Sequence, residues 1–396
     1  MNCTRLIEDD IFWVGADNRR ASLFEAVYNV PRGMSYNSYL ILDDKTALID
    51  TVDRAVTDIF LENIESTLNG RALDYLVVQH MEPDHSATLL DVLVRYPDCT
   101  VVCNKKTYDM IVAFKNKEVK AHIVKDGDTL ELGKHKLSFI FAPMVHWPEV
   151  MVSYDLYSGI LFSADAFGSF GALGGAIFAD EVDYERYHLD EARRYYTNIV
   201  GKYGIPVKTL LTKASALDIK KICPLHGFVW REKIEFIVNK HLLWAAYQPE
   251  ERGVMIAYAS VYGNTENVAN ALACRLFEKG IKCSLYDVSV TEHSQIVAES
   301  FKYSHLVFAS VTYNAGAFVC MENLLHEIAA HGLKDRRIAL IENGSWASAA
   351  AKSMREILAP LKGMEFLCDD ISFKSAMHND DDGKIAELAD LIASTI

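Results

Sequence analysis

Between residues 80 and 85 the chain reads His80-Met81-Glu82-Pro83-Asp84-His85, and no other stretch restricts its fold as strongly. Two imidazoles and two carboxylates within six residues are costly to bury without a partner. A metal ion, which needs several convergent donors, is such a partner. The largely apolar run Leu73–Val78 precedes the cluster and reads as a strand. Pro83 does not continue a strand or a helix through this point, so the expected picture is a loop at a strand end presenting four donors to one place. A solvated polar turn accounts for any one of these residues but poorly for all four. Six residues cannot enclose two metals, so further ligands must come from downstream.

Three downstream residues share the same context. His146 lies in Met144-Val145-His146-Trp147-Pro148, Asp165 in Ser163-Ala164-Asp165-Ala166, and His226 in Pro224-Leu225-His226-Gly227. Each follows a probable strand, and loops at strand ends are where folds place sites. As lone polar loop residues none would signify. As a set sharing one context they are candidate ligands.

The remaining organisation follows from length and periodicity. A chain of 396 residues predicts two or three domains, and half of it is hydrophobic, enough for full cores. The net charge of −14, with no Lys/Arg run, argues against nucleic acid as a partner. No apolar run reaches membrane-spanning length, so no membrane association is expected. The N-terminus, Met1 to Asp10, is polar and acidic, unlike a signal peptide. The eight cysteines include no Cys-x-x-Cys pair, which leaves no rubredoxin-type site and fits a reducing cytoplasm.

Up to about Tyr247, strands are expected at Ile11–Val14, Tyr39–Leu42, Ala47–Asp50 and Thr100–Cys103. Hairpins follow from Ala121 to Phe162, and a strand at Ile219–Cys223. Helices are expected at Val56–Leu68, at Ser86–Arg95 with Ser86 as its cap, at Glu185–Tyr203 and around Thr209–Ala216. Gln248–Gly253, with Pro249, reads as a linker, dividing the chain into domains 1–248 and 254–396. Beyond it, buried-type strands (Val254–Ala259, Lys282–Asp287, His305–Ser310, Arg337–Glu342) alternate with amphipathic helices (Glu266–Lys279, Val319–His331, Ala350–Leu361). That alternation predicts a doubly wound parallel sheet.

In the second domain three loops at strand ends are candidates for a cofactor. Ser260-Val261-Tyr262-Gly263-Asn264-Thr265 follows the first strand and opens a helix, where backbone N–H groups and hydroxyls hold a phosphate. The second loop is Ser310-Val311-Thr312-Tyr313-Asn314-Ala315-Gly316, and the third is Glu342-Asn343-Gly344-Ser345-Trp346-Ala347.

These motifs resemble the flavodiiron proteins, the rubredoxin:oxygen oxidoreductase type, over nearly the whole chain. The first domain resembles the metallo-β-lactamase fold, an αββα sandwich whose hydrolases carry His-x-His-x-Asp-His; here Glu82 replaces the second histidine. The second resembles flavodoxin. The resemblance implies FMN and two non-haem irons: His80, Glu82 and His146 on one iron, Asp84, His85 and His226 on the other, and Asp165 between them. It implies that the three later loops bind FMN, with Trp346 as an aromatic wall, although Val311 stands where the family often has proline. The implied function is reduction of O2 to water or of NO to N2O. Electrons would come from an external donor, rubredoxin or a reduced deazaflavin, in a head-to-tail homodimer or a dimer of dimers. Trp147, Tyr195 and Tyr196 are further aromatics near the site, with core packing as their plainer role. A dinuclear zinc hydrolase fused to a flavin module is the alternative, and a pure electron carrier is a third reading. Glu82 argues against the hydrolase, because a harder ligand set suits iron better.

Overall fold

A computed structural model describes residues 3–396; Met1 and Asn2, at the head of the polar N-terminal segment, lie outside the described residues. The chain divides into two compact units, one formed by residues up to Tyr196 with Ile205–Leu242, the other by Thr197–Gly204 with Leu243–Ile396.

Among the described residues the first unit has two two-stranded ribbons and two large sheets. One contains seven strands in the order Arg5–Glu8, Ile11–Trp13, Tyr39–Leu42, Thr46–Ile49, Tyr75–Val77, Thr100–Asn104, Ala121–Val124. It is antiparallel as far as Thr46–Ile49 and parallel beyond. The other contains five: Thr129–Glu131, Lys136–Phe141, Met151–Asp155, Ile160–Phe162 and Lys221–Cys223. The inner faces meet in side chains such as Tyr39 and Phe162, whose ring centres are 5.4 Å apart. Strand Thr46–Ile49 is buried at every position, because sheet and helices cover both its faces. This is the expected metallo-β-lactamase-like αββα sandwich.

The second unit is a parallel sheet in the order Cys283–Asp287, Glu251–Ala259, Tyr303–Tyr313, Arg337–Asn343, Glu365–Phe366, the 2-1-3-4-5 order of flavodoxin-like folds. Its strands alternate strictly between two cores. Met255, Ala257, Leu306, Phe308, Ile338 and Leu340 pack on one face, and Val254, Ile256, Val307, Ala309, Ala339 and Ile341 on the other. Among the described residues no helix is long and apolar enough to cross a membrane.

Several expectations about elements are corrected. Pro83 does not forbid a helix at the cluster: Pro83–Ser86 is a helical turn with Pro83 at its first position, where a missing N–H costs nothing. The next helix is Leu89–Arg95, and Ser86 does not cap it; the Ser86 hydroxyl donates to the Met81 carbonyl (2.9 Å). The single helix expected over Glu185–Tyr203 is instead a succession, Tyr184–Tyr187, Leu189–Tyr195, a π turn at Tyr196–Val200 and a tight turn at Gly201–Tyr203, continuing into Gly204–Ala214. It breaks first at His188, whose φ of −129° is not helical. Three helices were not anticipated: Lys105–Lys115, Ile234–Ala245 and His293–Lys302.

Candidate functional site

Each predicted metal-ligating residue leaves a strand end and is aimed by its neighbours. Strand Tyr75–Val77 runs into Gln79 and His80, whose path is set by Asp50. The Asp50 carboxylate accepts from the Gln79 N–H (2.7 Å) and more weakly from that of His80 (3.4 Å). The helical turn Pro83–Ser86 then presents Asp84 and His85, and the His85 carbonyl is held by the N–H (3.1 Å) and hydroxyl (2.7 Å) of Thr51. Left-handed backbone recurs beside these residues, at Asp50 (φ 54°), Met144 (φ 67°) and Ala164 (φ 50°). Such conformations cost energy at non-glycine residues and concentrate at functional sites. Gly227 (φ 75°) follows His226, and a Cβ there would lie 2.2 Å from the Ser169 hydroxyl.

The seven side chains converge as two groups around one carboxylate. Oδ2 of Asp165 stands 3.1 Å from His80 Nε2 and 3.2 Å from His146 Nε2, while Glu82 Oε2 is 3.2 Å and 3.0 Å from the same two nitrogens. Oδ1 of Asp165 stands 3.2 Å from His85 Nε2 and 3.8 Å from His226 Nε2, and Asp84 Oδ2 is 3.4 Å and 3.1 Å from these. Ligands on one metal at about 2.1 Å and at right angles stand about 3.0 Å apart, so the separations within each group are those of donors sharing an ion. Both oxygens of Asp84 and of Asp165, and the Nε2 atoms of His85 and His226, are buried without a hydrogen bond. Atoms this dry and this close need a cation among them.

Protons take that role in the bare chain. Burial alone would lower the histidine pKa values, but Asp165, Glu149 and Glu82 hold His80 well above its ordinary range. His85 (through Asp84 and Asp165) and His146 (through Asp165 and Glu82) rise to about 9 against the same opposing burial. Burial would raise Asp165 and Glu82, and the facing imidazoles hold both far below the carboxylate range.

Residues outside the predicted set complete the surroundings. His80 Nδ1 donates to Glu149 (2.8 Å), and His226 Nδ1 to the Ser35 carbonyl (2.7 Å). Glu149 was findable, three positions after His146 in the same loop; Ser35 has no local signal. A cavity beside Glu82 and Asp84 is walled by 20–26, Tyr36 and Asp53. There Glu25 is exposed at the cavity beside Glu82, and partial loss of water and then Glu82 push its carboxyl up. Of the aromatics, Tyr195 packs on His226 (5.5 Å between ring centres) with its hydroxyl buried and unpartnered, and Trp147 meets His80 edge-on at 5.4 Å. Tyr196 packs instead on His241.

In the second unit the three loops enclose a cavity of about 370 Å³, lined by Ser260, Val261, Tyr262, Asn264 and Thr265, by 311–315, by 343–347, and by Ala349 and Ser375. Gly263, Ser310 and Gly316 stand outside the lining. Ser310 is spent structurally, accepting from the Phe318 N–H (3.0 Å). Ala349 and Ser375 were not anticipated. The cavity opens at the N-terminus of helix Asn264–Glu278, where an anion is favoured, and Trp346 and Tyr262 are each 92% exposed beside it.

Comparison with known proteins is consistent with both halves. The ODP-family beta-lactamase model matches residues 34–227 and the flavodoxin model residues 256–388. The chain is 33% identical over 366 residues to a nitric oxide reductase from Moorella thermoacetica, covering 90% of each chain. Its fold matches rubredoxin oxygen:oxidoreductase from Desulfovibrio gigas with a TM-score of 0.93 and 27% identity, over 99% of this chain and 98% of that one. A variant of the flavo di-iron protein from Thermotoga maritima matches with a TM-score of 0.91 and 27% identity, over 99% and 98%.

The chain belongs to the flavodiiron proteins. A flavodiiron protein is an oxidoreductase whose cofactors are FMN and a diiron pair, and the residues present fit both. Four imidazoles and three carboxylates, without a thiolate, make a mixed nitrogen–oxygen set suited to non-haem iron. The second-unit cavity has the size of a small-ligand site, with polar groups at the helix end and aromatic rings at its rim.

Proposed function

We propose that this protein reduces O2 to water or NO to N2O, using electrons that enter through FMN from an external donor. The observation that carries this reading is the gathering of seven ligand-type side chains into two groups that share Asp165. His80, Glu82 and His146 would hold one iron, Asp84, His85 and His226 would hold the other, and Asp165 would serve both. When bound, the iron pair supplies the electron-transfer and diatomic-binding chemistry that protein side chains lack. O2 takes four electrons and four protons to two waters; two NO take two electrons and two protons to N2O and one water. The chain's own part is to keep the donors dry and oriented, and to leave the side lined by Glu82 and Asp84 facing the cavity at 20–26. In the second unit, the N–H groups at the start of helix Asn264–Glu278 would hold the FMN phosphate, and Trp346 would stand beside its ring system.

The names of two relatives, a nitric oxide reductase and a rubredoxin oxygen:oxidoreductase, support these substrates and rubredoxin as donor. A reduced deazaflavin is the other donor of the expected type. The eight free cysteines favour a reducing cytoplasm. Turnover of O2 and of NO is to be measured separately under anaerobic control, with chemically reduced rubredoxin and with reduced deazaflavin. Consumption of either gas is expected only in protein holding both iron and FMN. Activity that needs two zincs and no iron would replace this reading with the hydrolase.

A further inference from the structure

The two metal positions differ behind their ligands. His80 Nδ1 points away from the centre and donates to Oε1 of Glu149 at 2.8 Å. The Glu149 side chain is fully buried. Its Oε1 also accepts from the Met81 N–H (2.9 Å), and its backbone carbonyl accepts from the Asn104 side chain (2.6 Å). Its second oxygen has no hydrogen-bond partner. In the other group His226 donates to a neutral backbone carbonyl, that of Ser35, and His85 Nδ1 has no hydrogen-bond partner. The carboxylates that face the metals divide evenly: Glu82 on one side, Asp84 on the other, Asp165 shared. Glu149 therefore places a carboxylate in hydrogen bond behind one ligand imidazole, where its counterpart has a neutral carbonyl; Asp50, buried near His85 and His80 alike, bonds to Gln79 and the His80 N–H and to neither imidazole.

We infer that Glu149 is a positioning residue that makes the two irons unequal, so that the one held by His80 is the harder to reduce. An imidazole that donates to a carboxylate is a more basic ligand than one that donates to an amide carbonyl, and in a dry interior that charge is weakly screened. The more electron-rich iron favours the ferric state. The inference rests on the ligand assignment proposed above.

Glu149→Gln separates charge from scaffolding. The amide oxygen still accepts from His80 and Met81, and the side-chain volume is kept. Both proteins are to be reconstituted anaerobically with excess ferrous iron, and the diiron reduction followed potentiometrically by EPR and Mössbauer spectroscopy. Glu149→Gln should hold two irons and FMN, and its reduced-to-oxidised ratio at fixed poise should rise about tenfold, about 59 mV for one electron. The Mössbauer inequality of the two irons should narrow. Glu149→Asp, which keeps the charge, should return toward the wild-type potential. Asn104→Ser loosens the Glu149 backbone while leaving its charge, and should leave the potential unchanged. Two irons with an unshifted potential in Glu149→Gln would overturn the inference and leave the ligand assignment standing. So would a Glu149→Gln protein that cannot be loaded even at excess iron while wild type loads, because Glu149 would then be scaffolding only. Wild type that never holds two irons would instead remove the ligand assignment, and this inference with it.

Discussion

Asp165 is buried with each oxygen facing a different group of candidate ligands. Asp165→Ala should therefore release both irons rather than one, while the flavin absorption persists; iron still bound in stoichiometric amount would refute its bridging role. A second residue sets an acid limit. His241 is buried against Phe167 and Tyr196, and its Nδ1–H donates to the Ile237 carbonyl (3.0 Å). Burial lowers its pKa to about 4, against the opposing pull of that hydrogen bond. The unfolded chain binds the proton near pH 6.5, so protonation favours unfolding. Stability from this residue is complete above pH 6.5 and declines as pH falls toward 4, by about 3 kcal/mol at most. His241→Phe carries no titrating group, so urea unfolding between pH 7 and 4 should show a shallower acid slope than wild type. An unchanged slope would mean that other groups set the limit.

The loops of the second unit sit at the ends of elements whose identity was plain from alternation. Val254 to Ala259 reads apolar throughout because both faces of that strand are covered. Trp346 is almost wholly exposed and Asn264 begins its helix, so replacing either leaves the cores intact. Trp346→Ala should weaken FMN retention about 3- to 10-fold, the worth of one aromatic contact, and Asn264→Ala should weaken it similarly, with iron content unchanged in both. Simultaneous loss of iron and flavin, measured by metal analysis and absorption, would show misfolding instead. What was illegible has physical causes. Helix Lys105–Lys115 starts from Asn104, whose side chain accepts from the Thr107 N–H, but its apolar face is sparse. The break at His188 carries no proline or glycine to mark it in the sequence. Pro83 misled because proline stops a helix in its interior yet starts one comfortably. The convergence of His80, Glu82, Asp84 and His85 was legible because their chemistry is concentrated in six residues. Ser35 and Glu25 were not, since they meet His226 and Glu82 only through the folded chain.

At the scale of the whole molecule the two cofactor sites belong to separate compact units, and electrons must still pass from FMN to iron. The stretch between helix Ile234–Ala245 and strand Glu251–Ala259 is short and contains Pro249. A head-to-tail homodimer is the assembly expected from the resemblance to the flavodiiron family. Two-fold symmetry would set the FMN of each protomer beside the irons of its partner, giving two equivalent routes. The arrangement can be tested by complementation. Asp165→Ala lacks iron but keeps FMN, while the Asn264→Ala, Trp346→Ala double variant keeps iron with weakened FMN. In FMN-free buffer neither parent should turn over at more than a small fraction of the wild-type rate. After subunit exchange, a mixed dimer pairs the intact FMN of the first with the intact irons of the second, so one of its two routes works. An equal mixture exchanged to completion is half mixed dimers, each with one route of two, and should recover about a quarter of the wild-type rate. Mixed dimers without activity, or an active monomer in sedimentation, would show that the electron passes within one chain.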